Sequence, residues 1–534
     1  MTATRRLRYT GFRWLLAAAL SCVAGMVSAA ELADTVKRLD TRNFRDQIKV
    51  ARELVDTGHE RAAPILIALK EGNLYFRASD GRAFIRRDDG RAINAVTGEE
   101  VADPGQLDEI RVNNLVRMKV GEMISRVELR HPDVETRLTA VKDLYGDLND
   151  AQVEELRGLV GEETNARVKH AMRTALALEE LERGAPAEQI DAIEFLRGSL
   201  ESTVRNELTR VLNRDDAKPA VRDAARASLD SIEARVSFYE FVEQIFFGLS
   251  LGSVLVLAAI GLAITFGVMG VINMAHGEMI MLGAYTTYMV QQLMPNHIAL
   301  SLIPAIPAAF VVSGLVGIGI ERGVIRFLYG RPLETLLATF GISLILQQVV
   351  RSIFGPLNKS VTTPAWMDGS INFNPVFSVT MNRLVIIFFA LAVFVGLVLI
   401  LKRTYLGLRV RAVSQNRSMA RAVGVRSEWV DALTFGLGSG VAGLAGVALS
   451  QITNVGPNLG QQYIVDSFLT VVFGGAGNLL GTLFAGMSLG IANKFLEPTT
   501  GTVLAKVLVL VFIILFIQRR PKGLFPQRGR AAED

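Results

Sequence analysis

Two groups of side chains in the second half of the chain have the types and spacing to act on a solute. Asn273, His276 and Glu278 lie close together beside Gly267-Val268-Met269-Gly270, where two glycines invite a helix break. Thr339, Ser343 and Gln347 recur every fourth residue, which sets them on one face of a helix within an apolar run. Polar groups inside a bilayer are costly unless they are paired or face water, so both groups are candidates for a solute pathway. The plainer reading has Asn273 and His276 capping broken helices by satisfying free backbone groups. A third stretch carries Arg409, Arg411, Arg417, Arg421 and Arg426 between two apolar segments. A short amphipathic helix there, from about Ser414 to Val423, can dock on a soluble partner and transmit its movement. The bland alternative is a loop that only follows the positive-inside rule.

Bond-making chemistry finds little support. Ser439 in Gly436-Leu437-Gly438-Ser439-Gly440 lacks a glycine two residues before it, and no histidine follows His297. No G-x-x-x-x-G-K-[ST] phosphate loop occurs, so ATP hydrolysis by that route is excluded. The one cysteine, Cys22, falls in an N-terminal apolar stretch, which rules out disulfides and thiolate sites once that stretch is removed. His59, His131 and His170 are scattered singly and read as surface or helix-end residues. The chain is read as not an enzyme, with no metal and no cofactor of its own.

The elements that must position these groups follow from patterning. Across 534 residues the net charge is only +5, but the first 235 or so residues hold most of the acids and bases, and the rest is strongly apolar. That split describes a soluble domain joined to a membrane domain. Arg5, Arg6, Arg8 and Arg13 precede the apolar run Trp14 to Val27 and then Ser28-Ala29-Ala30, so 1–30 read as a secretory signal, or else as an uncleaved anchor. Both readings start residue 31 outside the cytoplasm. Residues 31–235 read as amphipathic helices in HEAT-like repeats, with units near Gly58, His131, Asn165 and Lys218. The alternative is a plain helical bundle. A β-hairpin about Asp89-Gly90 is inserted between Phe84 and Ile93.

Residues 236–520 read as a transmembrane domain of about eight or nine helices, and 521–534 as a cytoplasmic tail. Spans are expected near 245–266, 275–294, 299–320, 334–353, 383–401, 430–450, 466–477 with 479–496, and 503–518. The pair at 466–496 is either two short spans or a re-entrant hairpin. The segments expected inside, 321–331, 402–428 and the tail, carry many arginines, whereas those expected outside carry Lys359 alone. Signal and charge bias thus agree on orientation: the first domain periplasmic and the C-terminus cytoplasmic. The positive charge is therefore read as membrane orientation, not nucleic-acid binding. Glycines four apart, at 248/252, 319/323, 436/440, 477/481 and 486/490, are expected to let helices approach closely.

Three stretches carry a resemblance. They are Gly261 to Glu278 with its continuation Met281-Leu282-Gly283-Ala284-Tyr285, then Ala338 to Gln347, then Arg409 to Arg417 followed by Ala420 and Ala422-Val423-Gly424-Val425. With the glycine cluster at 474–481 they resemble the branched-chain amino acid/urea permease family of ABC importers over roughly 240–525. The first domain is similar in size to the N-terminal extension of urea-importer permeases, so the resemblance implies a urea importer permease of the bacterial inner membrane. Branched-chain amino acid import is the alternative, and a passive urea or amide channel is the rival from another class. The resemblance implies a second permease subunit, cytoplasmic ATPase subunits that use ATP, and an extracytoplasmic solute-binding protein. It places Asn273, His276, Glu278, Tyr285, Thr339, Ser343 and Gln347 on the solute pathway. It also places Arg409, Arg411, Ala412, Gln415, Asn416, Arg417, Ala420 and Gly424 in the segment that couples to the ATPase. Urea suits amide and hydroxyl partners, and the absence of an obvious intramembrane Arg or Lys partner favours a neutral solute.

Overall fold

The computed structural model describes residues 32–525 except 42, 58, 60, 78, 88–90 and 102–103. The expected signal segment 1–30 with Cys22, and most of the expected tail, lie outside the described residues. The chain divides into two compact units, Met1–Ile232 and Glu233–Asp534.

The first unit is helical around a small sheet. In chain order it has α1 (Phe44–Asp56), α2 (Ala62–Glu71), β1 (Leu74–Arg77), β2 (Ala83–Arg86), β3 (Ala92–Asn94), β4 (Glu100–Val101) and β5 (Leu107–Glu109). Helices α3 (Asn114–Leu129), α4 (Val134–Lys142), α5 (Asp150–Glu162), α6 (Ala166–Arg183), α7 (Pro186–Leu196) and α8 (Ser202–Leu212) follow. Short polar side chains start most of them. Asn113 accepts from the Val116 N–H, Asp133 from Thr136, and Asn165 from Arg167 and Val168, while Asn149 and Gln152 form a reciprocal capping box. The two strands of the expected hairpin pair, with Phe84 opposite Asn94 and Ile85 opposite Ile93, and its Asp89-Gly90 turn lies outside the described residues. It is part of something larger than expected: an antiparallel five-stranded sheet in the order β4-β3-β2-β1-β5. Leu74, Phe76, Ala83 and Ala95 turn inward to a core shared with Leu54, Leu66 and Val120. A second core gathers Leu129, Val141, Leu156, Val168 and Met172. The three histidines serve locally. His59 and His131 accept backbone N–H bonds from Arg61 and Asp133, and the His170 ring lies 5.4 Å from that of Phe195.

One ion pair ties α4 to the turn after α5. Arg137 Nε donates to Glu163 Oε2 at 2.8 Å and Nη2 to Oε1 at 3.2 Å, with side-chain exposures of only 14% and 8%. Burial alone would raise the Glu163 carboxyl, but the Arg137 and Asn165 hydrogen bonds and the Arg137 charge hold it below its ordinary 4.5. A depressed carboxylate contributes stability that is present above the unfolded value and lost as pH falls through the folded one. Hydrogen exchange on the full chain is therefore expected to show α4–α6 losing protection as pH falls below the ordinary 4.5 of a glutamate. Glu163→Gln should flatten that dependence; an unchanged profile in the variant would refute the assignment.

The second unit is an all-helical bundle with one external hairpin. It takes the end of α9 (Pro219–Met269), then α10 (His276–Leu293), α11 (Ile298–Gly323) and α12 (Pro332–Phe354). The hairpin β6 (Ser370–Asn372) and β7 (Ser378–Thr380) leads to α13 (Met381–Arg403), α14 (Tyr405–Gln415), α15 (Arg417–Ala422) and α16 (Ser427–Ser450). Helices α17 (Leu459–Gly474), α18 (Leu479–Thr500) and α19 (Thr502–Arg519) complete it. Among the described residues seven helices are long and apolar enough to cross a membrane: α9, α11 with its leading turn from Pro295, α12, α13, α16, α18 and α19. The expected eight or nine spans are thus not all matched. α10 carries His276 and Glu278 at its start, and α17 has 16 residues, about 24 Å, short of a bilayer core near 30 Å.

Close backbone contact organises this bundle, and α16 lies at its centre, with 94% of its apolar window buried. Gly248 and Gly252 of α9 mesh with the 486–491 turn of α18, where a Cβ on Gly252 would lie 2.8 Å from the Met487 Cα. Gly436 and Gly440 meet α11. The expectation fails at Gly319 and Gly323, where an added Cβ would meet nothing within 4 Å. Their spacing matches the others, but their helix face is not the one turned to a neighbour.

Candidate functional site

α9 ends at Met269, and Gly270, at φ +67°, turns the chain into a short non-helical passage before α10. This passage is supported from both sides. Asn273 Oδ1 accepts from the Ala275 N–H at 3.0 Å, and Thr339 Oγ1 of α12 accepts from the Met274 N–H at 3.1 Å. His276 does not cap its own helix: its Nε2 lies 2.8 Å from the Ala258 carbonyl in the middle of α9. The break therefore lies within the bundle, where only polar partners can satisfy freed backbone groups.

Glu278, in the first turn of α10, is where the two candidate groups meet. Its Oε1 accepts from Ser343 Oγ at 2.9 Å and from Gln347 Nε2 at 2.8 Å, across sequence separations of 65 and 69. Its Oε2 has no partner, although the residue is 1% exposed. Asn273 Nδ2, His276 Nδ1 and Tyr285 Oη are also buried without a partner. The Tyr285 ring lies 4.7 Å from that of Phe354. Sequence reasoning missed Thr335, which continues the four-residue spacing of the α12 stripe and is buried like the rest. It also missed Arg351, one turn beyond Gln347, which donates to Asn458 Oδ1 at 2.6 Å. Gln291 was missed as well: its amide makes a two-way bond with the Thr362 backbone, both arms 2.8 Å.

The basic segment forms two helices, not the single helix expected from Ser414 to Val423. The chain breaks at Asn416, whose side chain accepts from the Met419 N–H and starts α15. An Asn at that position competes with the backbone for hydrogen bonds and so favours a cap over a helix interior. Ala420 packs with Val410, Val413 and Val430, and Gly424, at φ +90°, ends α15. Arg409, Arg411 and Gln415 are exposed and Ala412 is half-buried. Arg411 donates to the Leu401 carbonyl. Arg417 turns inward: it pairs with Asp431 of α16 and stacks on Tyr329 at 3.9 Å. Asp431, 2% exposed, escaped the sequence reading, although an acid at the start of an apolar span is a signal in itself. Leu408, Met419 and Val423 are left exposed on this segment.

Comparison with known proteins places the chain in a family. Residues 244–517 match the family described as the branched-chain amino acid transport system permease component, more than half of the chain. The chain belongs to that family. The permease is 30% identical over 299 residues to the high-affinity branched-chain amino acid transport system permease protein BraD of Pseudomonas aeruginosa. That match covers 54% of this chain and 96% of the relative. LivH of Escherichia coli K12 gives the same identity and coverage. A probable LivH of Methanocaldococcus jannaschii is 28% identical over 289 residues, 51% of this chain and 88% of the relative. No solved structure matches the permease.

Proposed function

We propose that this permease carries a small amino acid of the branched-chain class across the inner membrane by alternating access, driven by a separate ATPase and fed by an extracytoplasmic binding protein. The observation that carries the reading is the Glu278–Ser343–Gln347 cluster beside a broken helix, on a chain of this permease family. Broken helices at membrane depth suit solute sites, because their freed backbone groups and nearby polar side chains can exchange partners with a solute. Asn273, His276, Thr339 and Tyr285 belong to the same pathway. The segment from Arg409 to Gly424, with its exposed Leu408, Met419 and Val423, docks on the ATPase, and Arg417 passes that contact to α16. A second permease subunit completes the pathway, and the first unit faces the periplasm.

Urea is the second reading. It is favoured by the amide and hydroxyl lining and by the first unit, which falls outside the 244–517 match. Uptake of labelled leucine and labelled urea, in cells lacking the chain and then complemented with it, separates the two. ATP-dependent leucine uptake that disappears and returns supports the first. Urea uptake alone following the chain supports the second, and indifference of both counts against transport of either.

A further inference from the structure

Resting on the transport reading above, we propose that Glu278, steadied by Ser343 and Gln347, is the site that binds the ammonium group of the transported solute. Oε1 of this carboxylate is already occupied by two donors, at 2.9 and 2.8 Å, whereas Oε2 is enclosed and empty-handed. Neither protonation state repairs this. An ionised Oε2 lacks a donor, and a protonated one lacks an acceptor for its own hydrogen. An N–H-bearing group supplies the missing donor, and a charged one also balances the carboxylate that Ser343 and Gln347 stabilise. Asn273 Nδ2, likewise buried and unpartnered, is a donor of the kind the carboxylate end of the same solute needs.

The residues α12 buries fully are Thr335, Thr339, Ser343, Gln347 and Val350, four of the five polar, while Ile342, Leu346 and Phe354 pack half-buried on the core beside them. The apolar contacts hold the helix in place, and the bonds of its polar stripe to α10 and the passage before it are ones a polar solute can exchange for its own. Arg351 acts on the Glu278 charge from a distance but gives its hydrogen bond to Asn458 and leaves Oε2 without a donor; an ammonium group supplies that donor together with a closer charge, whereas urea supplies the donor alone.

The test uses the full chain in membranes with its partners present. Dicyclohexylcarbodiimide, an apolar carboxyl reagent, is applied and its adducts are mapped by mass spectrometry. Leucine is expected to protect Glu278, and 4-methylpentanoate, the same skeleton without the ammonium, is not. Equal protection by both acids, by neither, or by urea alone overturns the proposal. In parallel, Glu278→Gln, which keeps an acceptor for Ser343 and Gln347, is expected to reach the membrane at normal level and lose leucine uptake by about tenfold or more. This arm decides the matter if Glu278 takes no label: wild-type uptake in the variant sinks the site. Should Glu278→Gln fail to accumulate, Ser343→Ala replaces it, with about a threefold loss expected and no loss counting against the site. Failure of the wild-type chain to support uptake at all speaks instead against the transport reading.

Discussion

Gly283→Val is expected to destabilise the folded permease and to lower its melting temperature sharply. Gly283 of α10 faces Gly443 of α16, and a Cβ there falls on the Gly443 carbonyl, with the Gly443 Cα 2.6 Å away. Both obstacles are backbone on the most buried helix of the bundle, so no side chain can swing aside to make room. Overpacking a rigid site costs about 1–3 kcal/mol even where neighbours adjust; with backbone as the obstacle the cost is about 3 kcal/mol or more. That is on the order of a hundredfold in the ratio of folded to unfolded chain. Gly341→Ala is the matched control, because its added Cβ meets nothing within 4 Å and the site lies on the open face of α12. Size-exclusion profiles and melting temperatures of the solubilised chains check both. A monodisperse Gly283→Val chain with a wild-type melt would show that the two helices are not held by backbone contact.

Arg417→Ala is expected to damage the permease more than Asp431→Asn, and the double variant less than Arg417→Ala alone. Asp431 has a side-chain exposure of 3%, one oxygen paired with Arg417 and the other unpartnered. Taking away the guanidinium strands a buried carboxylate, at a cost of about 3–5 kcal/mol. Taking away both charges removes the stranded group, so much of that stability returns. Transport should behave differently. If Arg417 carries motion from α15 to α16, the double variant melts near wild type yet moves solute at a tenth of its rate or less, by the proposed coupling through this pair. A double-mutant cycle in melting temperature, set beside uptake, separates the roles. Uptake that recovers in step with stability would reduce the pair to a structural tie.

Some of this architecture was open to reading from local pattern. The four-residue recurrence of Thr339, Ser343 and Gln347 can only mean a shared helix face, and Gly267 and Gly270 mark a break where Met269 in fact ends α9. The pairing of β2 with β3 joins strands close together in the chain, so it too was open to local reading. Two features were out of reach for one reason, namely that they depend on partners distant in the chain. β1 pairs with β5 across some thirty residues, so the hairpin gave no sign of a five-stranded sheet. Gly319/Gly323 and Gly486/Gly490 look alike on paper, and only the rotation of each helix decides which pair meets a neighbour. The break at Asn416 was within reach of local reading, because its side chain caps the next helix through Met419, three residues on.

Sequence by itself determined the inventory: which segments are apolar, which faces are polar, where glycine allows a turn, and which family motifs are present. Those properties are set by residues within a few positions of one another, and they hold whatever the chain packs against. Tertiary structure alone decided the pairings. It brought Glu278 to Ser343 and Gln347 across more than sixty residues, gave Arg417 its buried acid, and left one carboxylate oxygen without a partner. A hydrogen bond between distant residues is fixed by the helix crossing that the whole bundle chooses, and no local spacing encodes that choice.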